Sequence, residues 1–237
     1  MEDVTVVILA GGKGTRIRGL YPGLPKPLVP VAGRPFLYWL TQWIHQHGPD
    51  HFVYSTGYMA DQIEDWASDD SLPEVKRHCR REETPLGTGG GLLNCLDLCR
   101  SWVLVANGDG LVMGGIDDIL RLRKQGVDGG LLAVEVADTS RYGSIKLTED
   151  GFLREFAEKV SGHGLINGGL YLFRKDLLLQ RFSRDNSSIE MHVFPQLINA
   201  GAQLRAVVCR DAPFIDIGTP ETLSQAEHFV RRHLHPE

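Results

Sequence analysis

The sequence predicts an α/β protein with a Rossmann-like, doubly wound, mixed but mainly parallel β-sheet. Two patterns lead to this prediction. Up to about residue 128, apolar strand-like runs alternate with helix-length amphipathic segments, an order typical of parallel strands covered by helices on both faces. From about residue 129, strand-like runs follow one another through short connections, which predicts antiparallel strands. The 237 residues suit one domain, 1–237, with halves of about 1–128 and 129–237.

The first half is predicted to alternate strictly between strand and helix. Its first helix places Phe36, Leu40 and Ile44 on one face and ends before Gly48-Pro49, a pair of residues that terminates helices. The fourth strand runs directly into a glycine-rich turn. We predict strands at residues 4–10, 51–56, 75–79 and 102–106, and helices at residues 35–47, 60–67, 88–99 and 116–124.

The second half is predicted to be richer in strands. Glu149-Asp150-Gly151 is a strong hairpin turn between two of them, because Asp-Gly accommodates the backbone of a tight turn. Two helices and two further strands complete this half. The predicted strands are residues 130–137, 144–147, 152–156, 165–173, 204–209 and about 214–217, and the helices are 189–200 and 221–233.

Composition excludes several classes of protein. A net charge of −5 argues against a general nucleic-acid binder, whose surface is basic. The N-terminus lacks the basic and apolar regions of a secretory signal, and apolar runs stay short of the roughly 20 residues that a membrane span needs. The four cysteines show no CxxC spacing and are expected to be reduced core residues. We therefore expect a cytoplasmic protein with no nucleic-acid or membrane partner.

A glycine-rich loop follows the first strand. Gly11, Gly12 and Gly14 allow backbone N–H groups to approach an anion closely, and ligands of open α/β sheets bind at the carboxyl ends of strands. The positive charges in and after this loop would balance a triphosphate; they are Lys13, Arg16, Arg18 and Lys26. The loop matches neither a Walker A motif nor the GxGxxG fingerprint. The alternative is a glycine-rich turn surrounded by solvated charges.

Two aspartates far apart in the sequence end apolar runs. Asp109 follows the strand at 102–106, and Asp216 lies within the run at 214–217. Both are predicted to lie at the same edge as the glycine loop, where two carboxylates and phosphate oxygens can bind Mg²⁺. The alternative for any aspartate after a strand is a turn or helix-cap residue, the reading that we prefer for Asp117 and Asp176.

Two segments together indicate a family. Leu9-Ala10-Gly11-Gly12-Lys13-Gly14-Thr15-Arg16 and Pro25-Lys26-Pro27-Leu28 resemble the signature of the sugar-1-phosphate nucleotidyltransferases, whose fold is the nucleotide-diphospho-sugar transferase type. The resemblance implies a nucleotide-binding first half and a sugar-binding second half. It implies that Arg16, Lys26, Asp109 and Asp216 are catalytic, the two aspartates holding Mg²⁺. The residues that it places against the nucleotide in this part of the chain are Leu9, Gly11, Gly12, Gly14, Thr15 and Gly108.

The segment from Glu82 to Gly90 resembles the part of the family that binds the base. It implies nucleotide contacts from Glu82, Pro85, Gly87 and Thr88. A carboxylate only accepts hydrogen bonds, and guanine offers two adjacent donors, N1–H and N2–H₂, so Glu82 favours guanine. The alternative is that Glu82 is a surface charge balancing a neighbouring arginine, Arg80 or Arg81.

The sugar-binding residues are expected in the second half. By resemblance, Gly143, Glu158 and Asn167 approach sugar hydroxyls, Lys159 approaches the sugar phosphate, and Gly168 belongs to the same motif as Asn167. Glu190 lies near a predicted helix start. It is either a residue of the helix cap or a ligand of the sugar, and the sequence does not choose between these roles.

The overall run of motifs, including residues 19–27 and 87–91, is similar to the family's D-glycero-α-D-manno-heptose 1-phosphate guanylyltransferases. This implies Mg-dependent transfer from GTP to that sugar phosphate for surface-polysaccharide precursors, with pyrophosphate released, and is compatible with a homodimer. The alternatives are a mannose-1-phosphate guanylyltransferase, a hexose-1-phosphate uridylyl- or thymidylyltransferase, and a non-catalytic regulatory subunit that binds nucleotide sugars.

Overall fold

A computed structural model describes residues 1–140, 144–157, 161–180 and 187–234 of the chain. The strands are β1 Val4–Leu9, β2 Pro30–Val31, β3 Arg34–Pro35, β4 His51–Thr56, β5 Lys76–Arg81, β6 Trp102–Asn107, β7 Gly110–Val112, β8 Gly129–Val136, β9 Ser144–Leu147, β10 Leu153–Ala157, β11 Gly164–Arg174, β12 Leu204–Cys209 and β13 Phe214–Asp216. The α-helices are α1 Phe36–Gln46, α2 Ala60–Ala67, α3 Gly87–Asn94, α4 Ile116–Arg121, α5 Lys175–Leu179, α6 Phe194–Asn199 and α7 Pro220–His233.

The main sheet is mixed, as the sequence predicts. Strands β6, β1, β4 and β5 are parallel neighbours in that order, and β11 runs antiparallel beside β6. Beyond β11 the sheet continues through β9 to β10, while β8 pairs with both β11 and β12. The predicted α/β fold class is confirmed. The parallel part of the sheet brings four strand ends together at one edge.

Helices cover the sheet on both faces, and β1 shows why its sequence is almost entirely apolar. Val6 and Ile8 pack into one core, whereas Val7 packs into the other, because successive side chains of a strand point to opposite faces. The first core lies under α1, α2, α4 and α7. The second lies under α3, α5 and α6. With both faces covered, all but the last residue of β1 is buried.

Three predicted helices are shorter than expected. The predictions at 88–99 and 116–124 are each divided into an α-helix and a terminal 3₁₀ turn, at Leu96–Leu98 and Leu122–Lys124. The prediction at 189–200 is divided into a π-helical turn, Ile189–Val193, and α6. Pro195 lies in the first turn of α6, and because it has no N–H it cannot extend the regular helical bonding from the turn before it.

Several short elements were not predicted. The most important is β7, which follows Asp109 and pairs antiparallel with β13 in a ribbon separate from the main sheet. The hairpin predicted at 149–151 is present: Gly151 has φ of +81°, and the N–H of Thr148 donates to the carbonyl of Phe152. The ribbon of β7 and β13 positions both of the predicted metal-binding aspartates.

The cysteines are free thiols, as the sequence predicts. Cys95, Cys99 and Cys209 are buried and Cys79 is half-buried. Burial raises the pKa of the Cys79 and Cys99 thiols to about 12, which keeps them protonated and unreactive at neutral pH. None of the helices that the structure describes is both long and apolar enough to cross a membrane.

Candidate active site

A cavity of about 690 Å³, the first cavity, opens at the carboxyl ends of β1, β4, β5 and β6. It lies where ligands bind in open α/β sheets. Most of the predicted nucleotide-binding residues line it, from both the glycine loop and the segment after β5. Those residues are Leu9, Gly11, Gly12, Gly14, Glu82, Pro85, Gly87, Thr88 and Gly108, and the predicted catalytic residues Lys26 and Asp109 join them.

The glycine loop is held by backbone hydrogen bonds to neighbouring strand ends. The N–H of Gly108 donates to the carbonyl of Leu9 (3.0 Å), and the N–H of Tyr58 donates to the carbonyl of Gly11 (3.1 Å). Gly14 has φ of +55°, and a Cβ there would lie 2.7 Å from the Cβ of Lys26. Gly14 is therefore required both by the backbone conformation and by the close approach of Lys26.

Lys26 and Asp109 form an ion pair at the mouth of the first cavity, with Nζ 2.5 Å from Oδ2. The lysine side chain is only 14% exposed, whereas that of Asp109 is 44% exposed. Lys26 begins a 3₁₀ turn, Lys26–Leu28, and the flanking Pro25 and Pro27 are buried. The prediction that prolines hold this lysine in place agrees with that geometry, since proline fixes its own φ.

A second cavity of about 570 Å³ adjoins the first. The two share Gly14, Lys26, Asn107 and Asp109. The second cavity brings together the remaining predicted residues of the described chain: Thr15, Arg16, Asn167, Gly168 and Asp216. Gly143, Glu158 and Lys159 lie outside the described residues. Residues from both halves of the sequence thus surround two connected spaces.

The small ribbon of β7 and β13 places Asp216 near Asp109. Asp216 is the last residue of β13, paired with Gly110 of β7, and the N–H of the following residue, Ile217, donates to the carbonyl of Asp109 (2.9 Å). A Cβ built on Gly218 would lie 2.6 Å from Asp216 Oδ1 and 3.5 Å from Lys26 Nζ. The two aspartates and the lysine therefore converge on one place, as the sequence predicts.

The α7 helix begins just after this turn and fixes the direction in which the chain leaves it. The Thr219 hydroxyl accepts from the N–H of Thr222, while the Thr222 hydroxyl accepts from the N–H of Thr219, which forms a reciprocal capping box. Pro220 at the first helical position is preorganised for the helix. The sequence Asp216–Pro220 thus ends a strand, turns at a glycine and starts a helix within five residues.

Glu82 is held in the first cavity by two hydrogen bonds. Its Oε1 accepts from the Ser55 hydroxyl (2.9 Å), and its Oε2 accepts from the N–H of Leu86 (3.0 Å). Arg80 and Arg81 are engaged elsewhere, the first with Asp97 and the second with Asp61 and Glu64. The alternative of a surface charge balancing these arginines therefore does not describe Glu82, which is half-buried at the cavity wall.

The wall of the second cavity is an irregular segment of β11. Its pairing with β8 shifts between Asn167 and Tyr171, and Gly169 within the shift has φ of +73°. A Cβ on Gly168 would lie 3.0 Å from the carbonyl oxygen of Leu132, so the backbones approach closely there. This β-bulge turns Asn167 and Gly168 toward the second cavity.

Glu190 lies behind that bulge. Its Oε1 accepts from the Tyr171 hydroxyl (2.7 Å), and its Oε2 accepts from the Ser188 hydroxyl (2.8 Å). Ser188, rather than Glu190, caps the following turn by accepting from the N–H of Met191. Burial, reinforced by the Glu190 charge, raises the pKa of Tyr171 well above its usual range, so the tyrosine remains a hydrogen-bond donor.

Comparison with known proteins identifies the family. The chain matches the sequence profile of the family described as Nucleotidyl transferase over residues 5–233. The chain belongs to the nucleotidyl transferase family. The resemblance based on residues 9–16 and 25–28 is thereby confirmed.

Individual relatives share most of this nucleotidyltransferase chain. It is 32% identical over 219 residues to a D-glycero-alpha-D-manno-heptose 1-phosphate guanylyltransferase of Campylobacter jejuni, covering 91% of this chain and 95% of the relative. It is also 32% identical over 234 residues to a mannose-1-phosphate guanylyltransferase of Mycobacterium tuberculosis, covering 97% of this chain but 64% of that relative. Structures of HddC from Yersinia pseudotuberculosis, one of them complexed with GMP-PN, superpose with a TM-score of 0.83 at 33% identity, covering 95% and 98% of the two chains.

Nucleotidyltransferases of this family generally use a divalent metal ion, and the donors present fit one. Asp109 and Asp216 supply two carboxylates at the shared edge of the cavities, beside which phosphate oxygens could complete the coordination. Groups of three or more metal-ligating side chains are absent from the described part of the chain. The set thus favours a hard cation held jointly by protein and substrate over a site built from protein ligands alone.

Sequence reasoning missed two residues of the candidate site. Asn107 lines both cavities at the end of β6, and Tyr171 lies fully buried behind Asn167. Asn107 directly precedes Gly108-Asp109, so its position after an apolar strand was a usable signal. Tyr171 gave no such signal, because a tyrosine within an apolar strand has the pattern of an ordinary core residue.

Proposed function

We propose that the chain transfers a guanylyl group from GTP to D-glycero-α-D-manno-heptose 1-phosphate, producing the GDP-sugar and pyrophosphate. The observation that carries the choice of GTP is the placement of Glu82 in the first cavity. Its carboxylate is fixed by Ser55 and Leu86, yet each oxygen retains a lone pair that can accept from guanine N1–H and N2–H₂. Uracil and thymine offer one donor beside an acceptor, which a carboxylate satisfies less well.

The proposed reaction requires two anions to meet in line. A phosphate oxygen of the sugar 1-phosphate attacks the α-phosphorus of GTP, a new P–O bond forms, and the bond to the β-phosphate bridging oxygen breaks to release pyrophosphate. The attacking oxygen is already ionised at neutral pH, so no general base is needed. Positioning of this kind supplies roughly 7–11 kcal/mol of a barrier.

The residues at the junction of the two cavities are suited to this chemistry. Lys26, between the two spaces, would neutralise the reacting phosphates, and Arg16 with the glycine-loop N–H groups would hold the triphosphate. Asp109 and Asp216 would hold Mg²⁺, which supplies electrostatic stabilisation of the negative charge that accumulates on the phosphates. In the proposed resting state, the Lys26–Asp109 ion pair keeps both groups oriented before substrates arrive.

The sugar is proposed from the second cavity and from the relatives together. Asn167 and Gly168, which line that cavity, would face the sugar hydroxyls. By resemblance to the family, Gly143 and Glu158 would do the same, with Lys159 near the sugar phosphate. The relative from Campylobacter jejuni, matched over 95% of its length, is named for the heptose phosphate. We propose that residues 1–128 bind the nucleotide and residues 129–237 the sugar within one domain, acting in the cytoplasm, where GTP is made. The homodimer stays a prediction that light scattering would check.

A second candidate is mannose-1-phosphate guanylyltransferase. The relative of that name from Mycobacterium tuberculosis is as similar in identity, although this chain spans only 64% of its length. Both candidates require GTP, so they share the argument from Glu82 and differ only in the sugar.

A substrate matrix tests the proposal. Pyrophosphate release is measured with GTP, UTP, dTTP and ATP, each combined with heptose, mannose and glucose 1-phosphates, with and without Mg²⁺. We expect the highest kcat/KM for GTP with the heptose phosphate, and activity abolished by a chelator. Preference for UTP or dTTP would overturn the role of Glu82. Binding of GTP without turnover of any sugar phosphate would favour the regulatory-subunit alternative.

A further inference from the structure

We propose that Glu190 is a positioning residue for the second cavity: acting through the Tyr171 hydroxyl, its carboxylate fixes the orientation of the Asn167 side-chain amide. This inference rests on the proposed function to the extent that it assigns Asn167 a sugar hydroxyl as its ligand. It departs from both roles that the sequence left open for Glu190, since Ser188 caps the helix and the Glu190 carboxylate is engaged by Tyr171 and Ser188. Among the described residues, Asn167 lines the second cavity and Glu190 does not.

Four side chains form a continuous network behind the bulge of β11, and Asn107 is a further hydrogen-bond partner of Tyr171. The Asn167 amide nitrogen donates to the Tyr171 hydroxyl (2.6 Å) and lies 3.4 Å from Glu190 Oε1. The Tyr171 hydroxyl donates to the same Oε1 (2.7 Å), and the Ser188 hydroxyl donates to Oε2 (2.8 Å). Tyr171 is fully buried, so its hydroxyl has no access to water as a substitute partner.

The charge of Glu190 sets the direction of every hydrogen bond in this network. An ionised carboxylate only accepts, so the single proton of the Tyr171 hydroxyl must point toward Glu190. The tyrosine oxygen then has only lone pairs to offer to Asn167. Asn167 must therefore present its NH₂ group to Tyr171 and its Oδ1 to the opposite side. With glutamine in place of Glu190, an amide NH₂ could donate to the Tyr171 hydroxyl, and the tyrosine proton could then turn toward Asn167. Only the bond from the Gly169 N–H would then oppose rotation of the Asn167 amide by half a turn.

The orientation of Asn167 decides two features of the cavity wall. Oδ1 accepts from the N–H of Gly169 (2.9 Å), a bond that closes the bulge around the positive φ of that glycine. The second lone pair of Oδ1 is left for the cavity, while the NH₂ hydrogens point to Tyr171 and Glu190. Asn167 therefore offers a ligand an acceptor rather than a donor, and a hydroxyl of the sugar would have to donate to it.

The network also joins the sugar side to the nucleotide side of the site. Ser188, which holds Glu190, is followed by Ile189, whose N–H donates to the Thr88 hydroxyl (2.9 Å) in the first cavity. One residue earlier, the Ser187 carbonyl accepts from the N–H of Gly89 (2.8 Å). Glu190 is thus carried on a segment that is anchored to α3, and its carboxylate has a fixed place from which to act.

The decisive variant is Glu190→Gln, which keeps the shape of the side chain but removes its charge. We expect kcat/KM for the sugar 1-phosphate to fall on the order of 10- to 100-fold, because a misplaced ligand group weakens both binding and alignment. The KM for GTP and the equilibrium Kd for GDP should not change. Tyr171→Phe should also lower kcat/KM for the sugar 1-phosphate. The double variant should lose no more of this kcat/KM than the worse single variant, because both substitutions interrupt the same chain of hydrogen bonds from Glu190 to Asn167.

Tyr54→Phe is the matched control. Tyr54 is also fully buried, and its hydroxyl bonds to the Thr41 hydroxyl (3.0 Å) on the side of the core away from this network. Both tyrosine variants should lose thermal stability, but only Tyr171→Phe should lower kcat/KM for the sugar 1-phosphate. Equal losses of kcat/KM in the two variants would reduce Glu190 and Tyr171 to a structural role and overturn the proposal.

Two readouts separate this proposal from the proposed function. The first compares Kd for GDP with Kd for GDP-mannose and GDP-D-glycero-α-D-manno-heptose. If the wild-type protein binds neither GDP-sugar more tightly than GDP, the result contradicts the proposed function. The second is the crystal structure of Glu190→Gln, which does not depend on activity. Loss of the bond from Gly169 N–H to Asn167 Oδ1 supports the proposal that Glu190 orients Asn167 through Tyr171. An unchanged amide and bulge, or wild-type kcat/KM, overturns it.

Discussion

The two cavities are built in different ways. The first lies at the ends of parallel strands, and its wall consists largely of backbone: the glycine loop, the turn at Gly57 and the start of α3. The second lies against an antiparallel strand with a bulge, and its wall depends on side chains held by other side chains, such as Asn167 on Tyr171. Each backbone segment of the first cavity carries its own short signal in the sequence, such as the glycine loop or the segment from Glu82 to Thr88. A site built from side-chain relays is encoded by residues that meet only in the fold.

The largest expected effect lies where the two cavities join. Asp109→Asn or Lys26→Ala should lower turnover by about 10²- to 10³-fold, the loss typical of removing one preorganised group from a charged transition state. Pyrophosphate release under saturating substrates measures it. Asp118→Asn, at an exposed aspartate paired with Arg121, is the control and should retain full activity. Near wild-type turnover in either site variant would break the assignment of a shared reaction centre.

The next effect belongs to the first cavity alone. Glu82→Gln should lower kcat/KM for GTP by about 10- to 100-fold, because a hydrogen-bonded charge is replaced by a neutral amide that matches uracil better than guanine. The ratio of kcat/KM for GTP to that for UTP measures the change. Glu64→Gln is the matched control, since Glu64 also accepts from a hydroxyl at the end of β4, that of Thr56. An unchanged ratio would show that the base is recognised elsewhere.

A pair of glycines tests whether backbone geometry controls Lys26. Gly14 and Gly33 both have positive φ, so alanine should cost each about 1–2 kcal/mol of unfolding free energy. Only at Gly14 would the new Cβ collide with Lys26, whereas Gly33 has open space around it. The melting temperature should therefore fall in both variants, and further in Gly14→Ala, whereas turnover should fall only in Gly14→Ala. Equal turnover in the two variants would contradict the proposal that turnover depends on the position of Lys26.

The smallest effect concerns the link between the cavities. Thr88→Val removes the acceptor of the Ile189 N–H and should cost about 1–3 kcal/mol of unfolding free energy. Because Thr88 lines the first cavity while Ile189 adjoins Glu190, KM should rise for both substrates, each by less than about tenfold. Thr41→Val, which removes a buried hydroxyl in the core, should destabilise without changing either KM. A change in only one KM would argue against a link.

The sequence was sufficient for the fold class and for the first cavity. Gly11 and Gly14 belong to one local pattern, and Gly108 follows the strand predicted at 102–106. Because strand-end geometry follows from alternating strands and helices, their convergence could be predicted. The meeting of Asp109 with Asp216 was also predictable, but the ribbon of β7 and β13 that produces it was not, because three-residue strands leave little trace in sequence.

The second cavity was only partly predictable. Asn167 was found from its motif, but its bulge depends on pairing with β8 more than thirty residues away. The role of Glu190 was open because its partner Tyr171 has the pattern of a core residue, and only the fold places the two hydroxyls of Tyr171 and Ser188 on its carboxylate. The interruption of the helix predicted at 189–200 had one usable sign, Pro195, which the amphipathic pattern concealed.

The central claim is that one reaction centre lies between a cavity for the base and a cavity for the sugar. The most direct measurement is a crystal structure of the protein with a GDP-sugar and Mn²⁺, located by anomalous scattering. The account predicts guanine beside Glu82, the sugar against Asn167, the diphosphate across Lys26, and the metal between Asp109 and Asp216. Guanine in the second cavity, or a metal far from both aspartates, would contradict it.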